Sequence, residues 1–224
     1  MIRKIAVLCG FVLVLCGCSS SPSPQLVGNP SSGDPWDIKP ETVEPAPESE
    51  PVEPELASEP VRINVPPDWL PPSRIEKQWT AIVIHHSATE TGNAAIFDRM
   101  HREENHWDGV GYDFVIGNGT DSGDGQVEVT FRWRQQIVGA HCGGTPDNWA
   151  NADAVGICLV GNFNYTEPTA NQMQSLSKLA GFLLKRYGIR TDRIYGHSTT
   201  PGAQVTDCPG TNSPVPRLKR MLES

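Results

Sequence analysis

Residues 79–86, Trp-Thr-Ala-Ile-Val-Ile-His-His, are apolar at both odd and even positions. A strand that is apolar on both faces is an interior strand. Alternation places Trp79, Ala81, Val83 and His85 on one face and Thr80, Ile82, Ile84 and His86 on the other. The two adjacent histidines then point opposite ways, so only one can readily face a given pocket. Ile96, Phe97 and Met100 stand at helical spacing and predict a helix over residues 93–104. Tyr112, Phe114 and Ile116 share a face of a second predicted strand. After a turn-rich stretch at 121–125, Val127, Val129 and Phe131 alternate with Gln126, Glu128 and Thr130 as a third. Residues 155–160 are a further strand of β-branched character. Thr169 and Gln172 have the spacing of a capping box. Met173, Leu176, Ala180, Leu183 and Tyr187 follow on one helical face, and Gly188 supplies the stop. Residues 217–222 predict a short terminal helix. Strands interleaved with helices predict a single α/β domain over 61–224, with a central mixed β-sheet flanked by helices. There is no internal repeat.

Composition changes the picture at the other end of the chain. Of the 20 prolines in 224 residues, 10 fall within 19–60, together with 9 acidic residues and the single Lys39. That segment has too little apolar surface to offset its ordering entropy. It reads as a tether, a passive spacer of about 130 Å if fully extended and about 35–40 Å as a flexible coil. The whole chain has a formal charge of −8, but residues 61–224 contribute only −2. That balance argues against a strongly basic nucleic-acid binder. Ahead of the tether, Arg3 and Lys4 precede an apolar run from Ile5 to Leu15. The run is too short for an ordinary membrane span and reads as a secretory signal over 1–17.

The signal ends in Leu15-Cys16-Gly17-Cys18 before Ser19, a pattern that resembles the lipobox of bacterial lipoproteins. Cys9 and Cys16 each follow a bulky Leu and fit the pattern less well. The resemblance implies that Cys18 becomes the first mature residue and carries the lipid, so that the tether runs over 18–60. One acyl chain binds a membrane only marginally, and the pattern implies several on this Cys. The expectation is therefore an exported protein, lipid-anchored to a bacterial cell membrane. Ser19 after the Cys points to the outer membrane, facing the periplasm.

Three segments of the domain carry candidate chemistry: Ile84-His85-His86-Ser87, Gly196-His197-Ser198 and Thr206-Asp207-Cys208-Pro209-Gly210. His and Cys are zinc ligands, and three protein ligands leave a fourth position for water. Taken singly, a His after an apolar strand is ordinarily a satisfied buried side chain, and a Cys before Pro-Gly a loop cysteine.

In their context these segments resemble the zinc amidases that include phage lysozyme-type amidases and animal peptidoglycan recognition proteins. The resemblance runs from about Trp79 to Gly210 through IVIHHSAT, GVGYDFVIGNGT, VGAHCGG, VGICLVGNF and GHSTTPGAQVTDCPG, in that order. It implies His85, His197 and Cys208 as ligands of Zn2+, with His86 on the opposite face. It further implies Tyr112 beside the reacting carbonyl and His141 lining the substrate groove. Phage enzymes place a Lys two residues before the ligand Cys. Here Thr206 stands there, able to donate a hydrogen bond but not a full charge. Ten residues separate His197 from Cys208, which leaves the register at Gln204 and Val205 open.

The remaining cysteines and histidines take plainer readings. His101 and His106 are structural or exposed. Cys158 packs as a small hydrophobe. An exported setting permits a Cys142–Cys158 disulfide without requiring one. Asp207 is an acceptor behind the ligands or a solvated loop carboxylate.

The implied activity is cleavage of the amide joining the lactyl group of N-acetylmuramic acid to L-alanine of peptidoglycan. A non-hydrolytic muropeptide-binding module and a zinc hydrolase cutting elsewhere in the stem peptide are the alternatives. Retention of the ligand Cys favours the amidase. The expected partners are peptidoglycan and, through Cys18, a membrane; the expected state is a monomer. No phosphate-cradling glycine loop or organic-cofactor motif is present.

Overall fold

The structure, a computed structural model, describes residues 64–223. The signal segment, Cys18, the tether and the opening of the domain at 61–63 lie outside the described residues. In chain order the elements are β1 (Ala81–His86), α1 (Ala94–Glu103), β2 (Phe114–Ile116), β3 (Val127–Val129), α2 (Phe131–Gln135), α3 (Trp149–Asp153), β4 (Ala154–Leu159), α4 (Ala170–Tyr187), β5 (Ile194–Gly196) and α5 (Val215–Glu223). Among the described residues no helix is long and apolar enough to cross a membrane.

The strands form one mixed sheet in the order β3-β2-β4-β1-β5. β1 runs parallel to both β4 and β5, and β2 is antiparallel only to the edge strand β3. β1 and β4 are buried along their whole length, as strands covered on both faces must be. On one face Ile82, Ile84, Ile157, Leu159, Phe114 and Ile116 pack against α4 and against Leu218 of α5. α4 begins at the expected capping box: Thr169 Oγ1 accepts from the Gln172 N–H, and Gln172 Oε1 accepts from the Thr169 N–H. It ends at Gly188, whose left-handed φ of 65° suits glycine. On the other face Ala81, Val83 and Ala154 pack with Ala150 of α3, and Val115 and Cys158 pack with Phe97 of α1. His85 shares this second face, and the site is built over it.

Three elements differ from the sequence expectation. Trp79 does not share a face with Ala81 and Val83. It lies two residues before β1, joins the α4-side core and stacks on Trp133 at 5.8 Å. The third strand stops at Val129, and Phe131 opens α2 because Thr130 Oγ1 accepts from the Arg132 N–H and caps a helix there. Tyr112 does not share a face with Phe114 and Ile116. Those two belong to the α4-side core, whereas Tyr112 packs with the Phe97 cluster on the His85 side.

Asp113 explains the change of face. Its backbone N–H donates to the Gly156 carbonyl, but its carboxylate Oδ2, not a main-chain oxygen, accepts from the Gly156 N–H. The Tyr112 carbonyl is diverted to the Thr130 hydroxyl. The ladder is broken at this point, so the period of two does not carry back to Tyr112.

Burial pushes the Asp113 carboxyl up from 3.8 to about 7, against the Gly156 N–H and the charges of Lys77 and Arg132. Its Oδ1 is buried without a partner. A folded-state pKa raised this way contributes stability that is complete below about pH 4 and is lost as pH rises through about 7. The loss is roughly 4 kcal/mol at its upper bound. Asp113→Asn is therefore expected to reduce the fall in urea midpoint between pH 5 and pH 8 relative to the native chain. Identical pH slopes for the two proteins would show that Asp113 titrates in the ordinary range.

Candidate active site

β1 delivers His85 to the second face of the sheet, and the backbone delivers the other two members of a cluster. His197 follows directly on Gly196, the last residue of β5. Cys208 comes from the loop after it, tied back by the Ser198 N–H donating to the Cys208 carbonyl at 2.7 Å. Gly210 lets this loop pass close to the chain: a Cβ there would stand 2.5 Å from the Phe163 backbone, at a φ of 96°. Gln204 is placed by its N–H donating to Gly143, and Val205 is fully exposed.

Among the described residues, His85, His197 and Cys208 are the group of three whose potential ligand atoms all lie within 4.8 Å of one another. His85 Nδ1 is 3.5 Å from Cys208 Sγ, and the His85 and His197 rings are 4.7 Å apart. His85 is 1% exposed. Burial, reinforced by neighbouring His141, His197 and His86, holds its pKa well below the usual imidazole range. Burial also lowers the pKa of His197, whose Nε2 is buried without a hydrogen-bond partner. Both rings are thus neutral and able to offer a lone pair. Burial pushes the Cys208 thiol up to about 12, against the pull of the His86 N–H that donates to its sulfur at 3.4 Å. A bound cation reverses that preference and favours the thiolate.

His86 turns its ring away from this cluster. Its Nδ1 accepts from the Phe163 N–H at 3.1 Å, and its ring packs against Phe163. The alternation of β1 therefore sorts the two histidines as its pattern implies: one ring to the cluster, one to the opposite side.

The cluster lies in a groove of about 490 Å³, whose walls include Tyr112, His141, Thr206 and Trp107. The Tyr112 ring is 5.1 Å from that of His85. Burial and the neighbouring Cys158 and Cys208 sulfurs hold its phenol well above the usual range, so it remains a donor. Thr206 Oγ1 accepts from the Cys208 N–H at 3.2 Å, which leaves the hydroxyl proton free to donate. His141 is 6% exposed and has both ring nitrogens engaged, with His85 at 3.1 Å and the Ala154 carbonyl at 3.3 Å. Burial depresses its pKa to about 3. Asp207 stands exposed at the groove.

His101 also reaches the groove, alongside Asn105 and Trp107. Its Nδ1 accepts from the Gly111 N–H at 3.0 Å, and its ring meets Trp107 edge-on at 4.9 Å. The structural reading of this histidine is met, and it forms part of the wall as well. The available signal was its place one turn after buried Phe97 on α1. His106 is exposed, at a left-handed φ of 57°. Cys142 and Cys158 are both free and buried in different side-chain clusters, so no disulfide joins them.

A family model described as N-acetylmuramoyl-L-alanine amidase matches residues 76–211, which include all of these groove residues. Peptidoglycan-recognition protein SC2 of Drosophila simulans is 32% identical over 139 residues, covering 58% of this chain and 67% of the relative. Peptidoglycan recognition protein 1 of Bos indicus is 27% identical over 146 residues, covering 59% and 71%. Among solved structures, the endolysin N-acetylmuramoyl-L-alanine amidase LysCS of Clostridium intestinale is 31% identical, with a TM-score of 0.55 over 65% of this chain and 84% of that one. The mixed sheet with its flanking helices is the amidase fold, and the chain belongs to the N-acetylmuramoyl-L-alanine amidase family.

Proposed function

We propose that the domain is a zinc-dependent N-acetylmuramoyl-L-alanine amidase, hydrolysing the amide between N-acetylmuramic acid and L-alanine of peptidoglycan. The observation that carries this reading is the convergence of His85, His197 and Cys208 at the floor of the groove. Two nitrogens and a sulfur suit zinc and leave one tetrahedral position open. Zn–N distances of 2.0–2.1 Å and a Zn–S distance of 2.3 Å imply an N···S edge of about 3.6 Å in a tetrahedral site. His85 Nδ1 and Cys208 Sγ stand 3.5 Å apart. His197 Nε2 is buried with no hydrogen-bond partner among the described residues, so the protein leaves this ring uncommitted at that nitrogen.

Bound zinc supplies Lewis acidity toward a carbonyl and a nucleophile from water at neutral pH. The chain supplies the rest. Tyr112 keeps its phenol proton and presents a donor near the ligands, where charge develops on a carbonyl under attack. Thr206, whose oxygen is engaged by the Cys208 N–H, offers a second donor from the opposite loop. Neither is a full charge, so the stabilisation comes from placement in a partly desolvated groove.

Location belongs to the same reading. Cys18 as the lipidated residue and 18–60 as the tether would hold the domain in reach of the wall, at the outer membrane facing the periplasm. The pattern of residues 1–60 supports this part.

Purified sacculi digested with the zinc-loaded protein test the function. The expected product, by mass spectrometry, is free stem peptide with L-alanine at its amino terminus. Shortened stems still joined to glycan would make the protein an endopeptidase. Saturable binding of muropeptide with no product would make it a recognition module.

A further inference from the structure

We infer that His141 is a positioning residue for His85, holding that ring by its Nε2–H so that Nδ1 presents a lone pair to the metal. This rests on the reading of His85 as a ligand given above. The Ala154 carbonyl, 3.3 Å from His141 Nε2, can only accept, so His141 carries its proton on Nε2. A neutral ring has one N–H, and His141 Nδ1 is therefore the acceptor of the 3.1 Å bond to His85 Nε2. His85 then holds its own proton on Nε2, and Nδ1 is bare. Nδ1 is the atom that faces Cys208 at 3.5 Å. A main-chain carbonyl of β4 thus sets the tautomer of a β1 side chain through one intervening imidazole.

The surroundings of His141 fix its ring rather than leave it to a ligand. A Cβ at Gly156 would come within 2.5 Å of the ring, and one at Gly139 within 2.6 Å. The two glycines are the space in which the imidazole lies. Its backbone is clamped from behind, where Asn151 Oδ1 accepts from the N–H groups of both His141 and Cys142. With both nitrogens engaged by the protein, the ring has no remaining polar atom to offer a substrate. It lines the groove and acts on the metal side of it.

Two variants and two readouts separate this role from space filling and from substrate contact. His141→Asn keeps an acceptor where Nδ1 lay, and His141→Leu has the same branching without one. By chelator competition on the folded proteins, zinc affinity is expected to fall about 10- to 100-fold for the Leu variant. The Asn variant should recover to within a few-fold of native. In the zinc-free native protein, nitrogen-15 spectra of the His85 ring should show the proton on Nε2, protected from exchange. That protection should be lost in the Leu variant and kept in the Asn variant. Native zinc affinity in a folded Leu variant, an equal loss in both variants, or a His85 proton on Nδ1 overturns the inference. So does lowered muropeptide affinity with zinc affinity unchanged, which marks a substrate contact instead. If the native protein binds no zinc, the ligand reading of His85 fails, and the ring spectra alone still decide whether His141 orients it.

Discussion

A Cys208→Ser protein is expected to lose its metal and its hydrolytic activity together while remaining folded. The thiolate is the softest of the three donors, and a serine hydroxyl offers zinc a poor replacement that is protonated at neutral pH. The surroundings accept the change. The His86 N–H, which donates to the sulfur, can donate to an oxygen at that point. The main core, with Ile82, Ile84, Leu159, Leu176 and Leu183, lies on the other face of the sheet. Its packing does not depend on the cluster, unlike a zinc finger, whose folding energy is the metal. Loss of Lewis-acid stabilisation worth several kcal/mol corresponds to a rate at least about 10³-fold lower. The measurements are zinc per chain by elemental analysis and stem-peptide release from sacculi, with melting compared in chelator so that metal linkage does not enter. One zinc per chain and a native rate in the variant would show that Cys208 is not a ligand.

The parts of the fold legible in the sequence are those governed by neighbours along the chain. Alternation located β1 and β4, and it sorted His85 from His86 correctly because both lie inside a regular strand. The capping box and Gly188 bounded α4 because caps are local chemistry. What alternation missed begins where the regular ladder stops. Trp79 lies before β1, and Tyr112 before β2, so neither obeys the period of the strand it adjoins. The cause at Tyr112 is a hydrogen bond from Gly156 to the Asp113 carboxylate, a partner 43 residues away. No local pattern announces it. Phe131 was misplaced for a milder reason, since Thr130 is both a good strand residue and a good N-cap.

The candidate site divides the same way. The three residues that converge, His85, His197 and Cys208, were legible because each sits in a distinctive segment with an order along the chain. The bonding of His141 was not, because it is settled by Gly139, Gly156, Asn151 and Ala154, brought together from α3, β4 and a loop. The groove wall at His101, Asn105 and Trp107 was missed as a unit, since its members qualify only by meeting at the groove. A residue type reveals what chemistry it can do, and the sheet decides which residues meet.

Tyr112→Phe is the substitution that separates catalysis from metal binding, and it is expected to retain zinc at the native stoichiometry. The ring itself is used for packing: it lies with Phe97, Val110 and Val115 and 5.1 Å from the ring of His85. Phenylalanine keeps that packing, and the turn that brings the ring to this face depends on Asp113 and Thr130 rather than on the phenol. The hydroxyl is therefore the only group withdrawn. If it donates to the oxygen of the scissile carbonyl as charge develops there, its loss lowers kcat by about 10²–10³-fold, the range for removal of one such donor. KM should change little, because an interaction strengthened in the transition state contributes less to ground-state binding. The measurements are zinc content and a full rate-against-concentration curve on a soluble muropeptide. An unchanged kcat would place the hydroxyl away from the reacting carbonyl. A raised KM with kcat intact would make it a ground-state contact. Loss of zinc would make Tyr112 a support of the cluster, since a group that acts only on the developing charge has no reason to disturb the metal.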